Sequence, residues 1–394
     1  MEVLKIQKKG KAQIKSQNRV RVFREILKRD GVSRSQLEKL LSLSASSVTR
    51  VVEDLLKAGL ICEEGTEQTF VGRRPILLNV KKDAYYSIGI NMSRTKLYIC
   101  VMNLGDEIVY SDRTDITGLK SGGELLKRID DSLDQAMIKT GIEEKQILAV
   151  GVASRGTVNR EKGTLIRFVE DGEEIPVKEH LHKRFDCHIL VENNVAVDLK
   201  YEYLGRMELN HDLVYLYVDE GVGGSIICNG EVVGGEKNMA SKFAHLLVVP
   251  GGALCNCGKR GHLEGYVSKP AIEAEYKLVK ELTEPVPLEE ICFRANRKEA
   301  EAIQILDQAL DKLAVAVTQL LLVLNPGTIV VYGDIFEFFD GVIDKLKEKV
   351  DRLVFSRQIS DINWIVREKS MVKIENSVAH LAVENALETS SLRK

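Results

Sequence analysis

Residues 213–233, LVYLYVDEGVGGSIICNGEVV, carry the strongest signal of the fold. Three short apolar runs in this segment are predicted strands: Leu213–Val218, Gly224–Cys228 and Glu231–Val233. Asn229-Gly230, between the last two runs, is a strong two-residue hairpin signal. A matching set of strands is predicted earlier in the chain: Tyr86–Asn91, Lys96–Met102 and Glu107–Tyr110. The sequence therefore predicts two copies of one meander.

Helices and buried strands follow each meander. After the first come a helix and two strands: Gly123–Lys139, Ile147–Ala153 and Ile189–Val191. After the second come three helices and a strand: Pro270–Leu282, Leu288–Asn296, Lys298–Leu324 and Thr328–Tyr332. Two βββ-αβα halves predict an α/β protein with the duplicated ribonuclease-H-like fold of actin-like ATPases and sugar kinases. In such folds a ligand lies in the cleft between the halves, at the carboxyl ends of the strands.

The charge of the chain is unevenly distributed. The 394 residues are 44% hydrophobic and 29% charged, which is typical of globular proteins and excludes disordered and collagen-like classes. The net charge is only −2, but residues 1–80 contain 16 Lys and Arg against 9 Asp and Glu. The remaining residues contain 40 against 49. A basic segment on an acidic body indicates an appended nucleic-acid-binding module.

Neither a disulfide scaffold nor a membrane segment is predicted. The seven cysteines are few and scattered, and the basic N-terminus lacks the apolar core of a signal peptide. The longest apolar stretch, Leu313–Leu324, is shorter than the roughly 20 residues that a membrane-spanning helix needs. We therefore predict a cytoplasmic protein with reduced thiols and no membrane partner.

The first eighty residues predict a winged helix-turn-helix. An apolar helical period runs from Gln17 to Asp30, and a Ser33–Gln36 capping box begins a short helix. Ser44 caps a longer helix that ends at Ala58-Gly59, and the spacing of these elements is that of a helix-turn-helix. Two strands around a turn, Leu60–Cys62 and Gly72–Leu78, form the predicted wing.

Small hydroxyl side chains dominate the outward face of the longer helix. They would let the helix enter the major groove deeply, and Arg50 can reach a guanine edge or a phosphate. The predicted DNA contacts of helices and wing are Arg34, Ser44, Ser46, Ser47, Thr49, Arg50, Arg73 and Arg74. The alternative is a Ser-rich surface helix without a DNA partner.

Two cysteines and two histidines lie within eighteen residues. They are His245, Cys255, Cys257 and His262. Four nearby glycines allow a tight loop around one point: Gly251, Gly252, Gly258 and Gly261. Four nitrogen and sulfur ligands with no open position suit a structural, tetrahedral Zn²⁺ site. The alternative is two thiols and two unrelated histidines.

This loop and the segment before it resemble the ROK family of repressors and sugar kinases. The family pattern is a Gly-rich phosphate loop, a Glu-x-Gly-His element and a Cys-x-Cys-Gly-x-x-Gly-Cys-x-Glu signature. Here residues 221–231 match the first part and residues 255–264 match the last, with His262 replacing the third Cys. Asn325-Pro326 before a strand resembles the nucleotide-side motif, and the Gly-Arg-Arg-Pro of the wing is similar to that of the repressor branch. The resemblance covers residues 16 to 390.

Departures from the family pattern argue against kinase activity. Family kinases bind phosphate with Asp-x-Gly-Gly-Thr, where this chain has Asn91-Met-Ser93-Arg94-Thr95. The Asp of the family's Asn-Asp pair deprotonates the sugar hydroxyl, but this chain has Asn193-Asn194, and an amide is not a base near neutral pH. Asp198 lies one helical turn further on, where its carboxylate would point elsewhere. The resemblance therefore implies a protein that is not an enzyme.

The resemblance also implies a small effector in the cleft. The implied contacts are Asn193, Asn194, Lys242, His245 and Glu264, of which Asn193, His245 and Glu264 match family sugar contacts. His245 would hold zinc with one ring nitrogen and face the ligand with the other. The effector implied is a small sugar, sugar acid or polyol. Lys242 stands where the family has Glu, and its positive charge favours an effector with an acid or phosphate group. The alternative is a salt-bridged Lys242 that touches no ligand.

The function implied is that of a transcriptional regulator, a repressor of carbohydrate or polyol metabolism genes. It would bind a palindromic double-stranded DNA operator as a homodimer or higher homo-oligomer. Two alternatives remain: a ROK sugar kinase with an appended DNA-binding domain, and a repressor with a vestigial cleft. The expected organisation is a basic arm (1–16), a winged helix-turn-helix domain (17–80), a first half (82–193) and a second half with the zinc loop (194–372). A C-terminal helix at about 375–390 is expected to pack back on the first half.

Overall fold

The computed structural model describes residues 11–29, 31–66, 75–166, 168, 174–201, 212–236, 239–356, 361–368 and 373–389. Contacts divide the chain into two compact units. The first is Met1–Val197 together with Ile374–Lys394, and the second is Asp198–Lys373. Within the described ranges, every helix is too short or too polar to serve as a membrane span.

The first unit begins with three helices and a small antiparallel sheet. The helices are α1 (Lys11–Leu27), α2 (Arg34–Leu41) and α3 (Ala45–Lys57), and the strands are β1 (Val32–Ser33), β2 (Ile61–Thr66) and β3 (Ile76–Val80). The sheet order is β1-β3-β2. The predicted capping box is present, since the Ser33 side chain accepts from the Gln36 N–H and the Gln36 side chain accepts from the Ser33 N–H. Val48, Val51 and Leu55 of α3 are buried in the core of this module.

Helix α1 starts earlier than its apolar period indicates. Residues 11–16, which we assigned to the basic arm, are helical, and residues 1–10 lie outside the described ranges. Lys, Ala and Gln are good helix formers and no Pro or Gly interrupts them, so the helix extends beyond its apolar face. An apolar period marks where a helix packs, not where its hydrogen bonding begins.

A five-stranded mixed sheet forms the rest of the first unit. Its strands are β4 (Tyr86–Met92), β5 (Lys96–Asn103), β6 (Ile108–Asp115), β7 (Ile147–Ser154) and β11 (His188–Asn193), in the order β11-β7-β4-β5-β6. Helices α4 (Gly122–Thr140) and α5 (Val177–His182) connect strands, and a small sheet contains β8 (Thr157–Asn159), β9 (Thr164–Ile166) and β10 (Glu174–Ile175). Strands β4, β7 and β11 are parallel, so their carboxyl ends share one edge.

The second unit repeats this sheet. Strands β12 (Leu213–Val218), β13 (Val222–Cys228), β14 (Glu231–Val232), β15 (Thr328–Tyr332) and β16 (Asn363–Arg367) have the order β14-β13-β12-β15-β16. Helix α6 (Asn194–Leu199) crosses from the first unit into the second. The helices that follow are α7 (Glu264–Val267), α8 (Lys269–Val279), α9 (Leu288–Asn296), α10 (Ala300–Leu324), α11 (Asp334–Phe338) and α12 (Val342–Asp351). The last helix, α13 (Ile374–Thr389), belongs to the first unit. The predicted duplication is thus confirmed, and the two observed sheets correspond strand for strand, including β16, which was not predicted.

The hairpin signal in the second meander is also confirmed. Asn229 (φ 52°) and Gly230 (φ 75°) both adopt left-handed conformations between β13 and β14. Two positive φ angles define the type I′ turn whose twist matches antiparallel strands. Strand β16 and the small β8–β10 sheet were not predicted.

Candidate functional site

Helix α3 presents a polar face to solvent. Ser44 is its N-cap, and the Ser44 Oγ accepts a hydrogen bond from the Ser47 N–H (3.3 Å). Ser46, Thr49 and Arg50 are exposed, whereas the opposite side of the helix packs into the core. The N-terminal end of α3 therefore offers hydroxyl groups and one guanidinium, together with the partial positive charge of the helix terminus.

The other predicted DNA contacts are placed differently. Arg34, the first residue of α2, is half-buried, and its Nη2 lies 2.7 Å from Oε1 of Glu63 in β2. This ion pair ties α2 to the sheet, so part of the charge of Arg34 is neutralised inside the module. Arg73 and Arg74, the predicted wing contacts, lie outside the described residues.

The four predicted metal ligands converge on one point in the second unit. The ligand atoms of His245, Cys255, Cys257 and His262 all lie within 4.8 Å of one another. Cys255 Sγ is 3.9 Å from His245 Nδ1, and Cys257 Sγ is 3.2 Å from His262 Nδ1. Around a tetrahedral Zn²⁺, with bonds of about 2.0–2.3 Å, ligand atoms lie roughly 3.3–3.8 Å apart. The donor set and its spacing therefore fit a four-coordinate metal ion.

Backbone hydrogen bonds hold the metal-ligand loop. The Cys255 N–H donates to the Lys259 carbonyl (2.8 Å), and the Gly258 N–H donates to the Cys255 carbonyl (2.9 Å). At Gly261 (φ 85°) a Cβ would lie 1.9 Å from the Val249 carbonyl oxygen, so only glycine fits this close approach. Burial raises the pKa of the Cys255 thiol to about 11, so the thiolate needs a neighbouring cation.

Two side-chain hydrogen bonds of this loop, made by Tyr266 and Asn256, were not predicted from the sequence. The Tyr266 hydroxyl accepts a hydrogen bond from the Ala253 N–H (2.6 Å), and Asn256 Nδ2 donates to Glu264 Oε1 (3.2 Å). Glu264 Oε2 also accepts from the Val222 N–H (3.3 Å) at the start of β13. Glu264, a predicted effector contact, thus connects the metal-ligand loop to the first residue of β13. Lys242, another predicted contact, is half-buried before the 3-10 turn Phe243–His245.

The predicted amides of the first unit stabilise their own loops. Asn193 Nδ2 donates to the Gly156 carbonyl (2.8 Å), and its Oδ1 accepts from the Val195 N–H (3.1 Å). Asn194 Oδ1 also accepts from the Val195 N–H (2.9 Å), at the first residue of α6. Neither side chain has a basic atom, so the position of the kinase base contains no general base.

The turn that corresponds to the kinase phosphate loop is closed by its own side chain. Ser93 Oγ donates to the Lys96 carbonyl and accepts from the Lys96 N–H, both at 3.0 Å. Asn91 is buried before this turn, and its Oδ1 has no hydrogen-bond partner among the described residues. The exposed Arg94 extends from the turn. Side chains therefore occupy the place where backbone N–H groups would hold a phosphate.

Asp198 is not available as a substitute base. It is fully buried in the second unit, 2.5 Å from Arg367 Nη1, and it accepts a hydrogen bond from the Tyr215 hydroxyl. Arg367 Nη1 also donates to the Tyr215 hydroxyl (3.2 Å). A carboxylate held by a guanidinium and a phenol is stabilised as the anion and shielded from any ligand.

A second unpredicted cluster follows β15. Gly333 (φ 135°) passes so close to β12 that a Cβ would lie 1.8 Å from the Val218 carbonyl oxygen. The next residue, Asp334, is buried, and Lys269 Nζ lies 2.9 Å from Asp334 and 2.7 Å from Glu289. One ammonium therefore pairs with two carboxylates directly after the strand that follows Asn325-Pro326.

Comparisons with known proteins identify the family. The sequence model of the ROK family matches residues 87–372. The xylose repressor of Caldicellulosiruptor bescii is 24% identical over 363 residues, which cover 89% of this chain and 91% of that protein. The crystal structure of a ROK family transcriptional regulator, a homologue of the E. coli MLC protein, matches with a TM-score of 0.81 at 20% identity, over 96% of this chain and 99% of that one. The ROK hexokinase of Thermus thermophilus matches with a TM-score of 0.63 at 19% identity, over 78% and 99%. Because the family model spans most of its length, this chain belongs to the ROK family.

Proposed function

We propose that this chain is a DNA-binding transcriptional repressor of carbohydrate or polyol metabolism genes. The observation that carries the proposal is the polar N-terminal face of α3, where Ser46, Thr49 and Arg50 are exposed on a capped, well-packed helix. The similarity to a protein named xylose repressor supports it. The structural match supports it as well, since it extends over 96% of the chain for the regulator and 78% for the hexokinase.

Loss of kinase chemistry supports a regulatory role. Asn194 cannot act as a base, Asp198 is held by Arg367, and the turn after Asn91 is filled by side chains. Kinase relatives need both a general base and a phosphate cradle, so a ligand that enters this fold would be bound and released unchanged.

We propose that the cluster His245, Cys255, Cys257 and His262 holds a structural Zn²⁺ ion. Bound zinc would supply the positive charge that keeps both thiols deprotonated and would lock the loop by linking its two ends. His245 precedes the loop and Glu264 follows it, so the metal would fix the orientation of both.

The ligand would be a small polyhydroxylated effector recognised by Asn193, Asn194, Lys242, His245 and Glu264. Amide side chains donate and accept, and carboxylates accept, which together suit vicinal hydroxyl groups. The ammonium of Lys242 adds affinity for an acidic group. Asn193 and Asn194 lie in the first unit and the other three in the second. The effector would regulate DNA binding only by binding two states of the protein with different affinities.

The regulator would bind a palindromic operator as a homodimer, because two recognition helices related by a two-fold axis match two half-sites. The test begins with selection of bound sequences from a random double-stranded DNA library by the wild-type chain. A palindromic consensus is expected, and its affinity is then measured against a panel of sugars, sugar acids and inositols. Failure to enrich any sequence would refute the DNA-binding assignment. Enriched DNA that responds to no compound would favour the repressor with a vestigial cleft.

A further inference from the structure

The N-terminal half of helix α13 lies directly on the first sheet. A Cβ added to Gly89 of β4 would lie 1.8 Å from the Glu375 carbonyl oxygen. A Cβ added to Gly151 of β7 would lie 2.1 Å from the Val378 carbonyl oxygen. At both positions the helix backbone touches the sheet, and any side chain would push it away. Two glycines on neighbouring strands therefore fix where α13 sits.

The C-terminal half of α13 shares a hydrophobic core with the DNA-binding module. The cluster joins α13 and the sheet to α1, α3 and β3, and its buried members include Ala382, Val383, Ala386, Leu387, Leu148, Val20, Phe23, Leu55 and Leu78. The module therefore does not hang from a flexible linker.

A chain of alternating charges reinforces this contact. Arg24 of α1 forms a two-pronged ion pair with Glu384 of α13, with Nη2 2.6 Å from Oε2. His380 Nε2 lies 3.1 Å from Glu384 Oε1, and its Nδ1 lies 2.9 Å and 3.0 Å from the two carboxylate oxygens of Asp106. Asp106 occupies the β5–β6 turn. The charges thus run from the DNA-binding module through α13 to the sheet.

Arg19 extends the connection to the recognition helix. Its Nη1 donates to the Leu387 carbonyl (2.9 Å) in the last turns of α13, and its Nη2 lies 3.9 Å from Asp54 of α3. Only 7% of Arg19 is exposed, so this guanidinium is a buried bridge between two helices. A buried charge that loses its partner is strongly destabilised, which makes these contacts resist separation.

We propose that α13 positions the DNA-binding module, so that α1 and α3 move together with the first sheet. Glu384, Arg24 and Arg19 are its positioning residues. Helix α13 begins at Ile374, the first residue after the chain returns from the second unit. This inference rests on the proposed DNA-binding function, but the attachment itself can be tested without DNA.

Hydrogen exchange of the wild-type full chain tests the attachment. Backbone amides of α1 between residues 20 and 27 are expected to open together with those of α13 between residues 378 and 387, with protection within about threefold. A module on a flexible tether would instead open alone. Exchange in α1 more than about tenfold faster than in α13 overturns the proposal. This measurement needs no variant and no ligand.

Charge-removing variants test the positioning. The variants are Glu384→Gln, Arg24→Gln and the double variant, with Glu348→Gln as control because its partner Arg352 and Glu348 are both exposed. The probes are the palindromic DNA selected by the wild-type chain and the same DNA with one half-site scrambled. A dimer whose two DNA-binding modules are held in fixed positions gains affinity by binding both half-sites at once. That gain in affinity depends on how the two modules are placed.

The expected result distinguishes a positioning role from a role in overall stability alone. Glu384→Gln and Arg24→Gln should weaken palindrome binding about tenfold and single half-site binding less than twofold. The double variant should be no worse than either single variant, and Arg24→Lys should recover part of the loss. Unchanged palindrome affinity, or an equal loss on both DNAs, overturns the proposal. Arg24 is partly exposed, and His380 still pairs with Glu384 when Arg24 is replaced, so the Arg24 variants are expected to fold even if Glu384→Gln does not. A wild-type chain that selects no DNA refutes the proposed function, whereas hydrogen exchange decides the attachment independently.

Discussion

The side chain of Asn194 caps its own helix with a hydrogen bond to the Val195 N–H (2.9 Å) and has no basic atom. We expect no sugar kinase activity from the wild-type chain, and none from Asn194→Asp alone. General-base catalysis contributes about 10²–10⁴-fold, but restoring the base leaves the turn at Ser93 closed by its own side chain, so the phosphate cradle is still absent. ATP consumption over a panel of hexoses measures this. Turnover of several per second by the wild-type chain would contradict this prediction and support the alternative, a sugar kinase with an appended DNA-binding domain.

Cys257 is the exposed thiol of the metal-ligand cluster, and its removal leaves only three donors. The purified wild-type protein is expected to contain about one zinc per chain, and Cys257→Ser to lose it, because a hydroxyl does not replace a thiolate as a zinc ligand. Cys62→Ser, at a half-buried cysteine outside the cluster, is the matched control. Elemental analysis settles the question: protein prepared without chelators and free of zinc would contradict the assignment.

Local patterns predicted part of this site, and long-range contacts supplied the rest. The metal ligands were found because four donors and four glycines lie within one short segment, so their convergence needs no knowledge of the fold. The Asp198–Arg367 pair joins residues far apart in the chain, and nothing near either residue indicates it. Strand β16 was missed for the same reason, since its five residues form a strand only by pairing with β15.

Within α3, polar and buried positions separate cleanly, so single substitutions on the exposed face should act on DNA rather than on folding. Arg50→Ala is expected to weaken operator binding by about 1–3 kcal/mol if its guanidinium contacts a base edge, with relaxed preference at one base pair. Lys57→Ala, at the exposed C-terminal end of the same helix, is the control. Binding is measured against operators substituted at each position. An Arg50→Ala protein with wild-type affinity and specificity would remove α3 from the interface.

Two residues of helix α13, His380 and Glu384, should also make the stability of the first unit depend on pH. Burial alone would lower the pKa of His380, but its hydrogen bonds to Asp106 and Glu384 raise it to about 10. Burial would raise the pKa of Glu384, but Arg24 and His380 lower it to about 2. The His380 contribution to stability is full below its unfolded pKa of about 6.5 and is lost as pH rises towards 10. The Glu384 contribution is full above about pH 4.5 and is lost as pH falls towards 2.

Together these residues should stabilise the first unit most between about pH 4.5 and 6.5. Denaturant unfolding at pH 5.5 and pH 9.5 is expected to show a loss on the order of 2 kcal/mol on the alkaline side for the wild type. His380→Gln should lose less over the same interval, because its side chain does not titrate. Equal alkaline losses in the two proteins would show that the network does not control the unfolding free energy.

Across the molecule, duplication makes two sheets of one topology, and the chain crosses between the units twice. The first crossing is at Val197/Asp198 and the second at Lys373/Ile374. Asp198 is the first residue of the second unit, and its partner Arg367 lies six residues before the second crossing. One buried ion pair therefore joins the beginning of the second unit to its end. The first unit's side of the return is α13, which shares a hydrophobic core with α1 and α3. The effector contacts proposed in the second unit and the helices proposed to read DNA therefore lie on opposite sides of the Lys373/Ile374 crossing.

The effect of Lys242→Glu on effector affinity should show whether the effector is charged or neutral. If the effector is a sugar acid or phosphate, Lys242→Glu is expected to weaken it by more than tenfold, because an attraction is replaced by a repulsion. If the effector is a neutral sugar or inositol, the same change should alter its affinity far less. Lys347→Glu, an exposed lysine on α12, controls for the general change of charge. Calorimetry with matched neutral and acidic sugars compares the three proteins. An acidic effector whose affinity is equal in wild type and Lys242→Glu would exclude Lys242 from the site, and the assignment of effector contacts would then rest on Asn193, His245 and Glu264 alone.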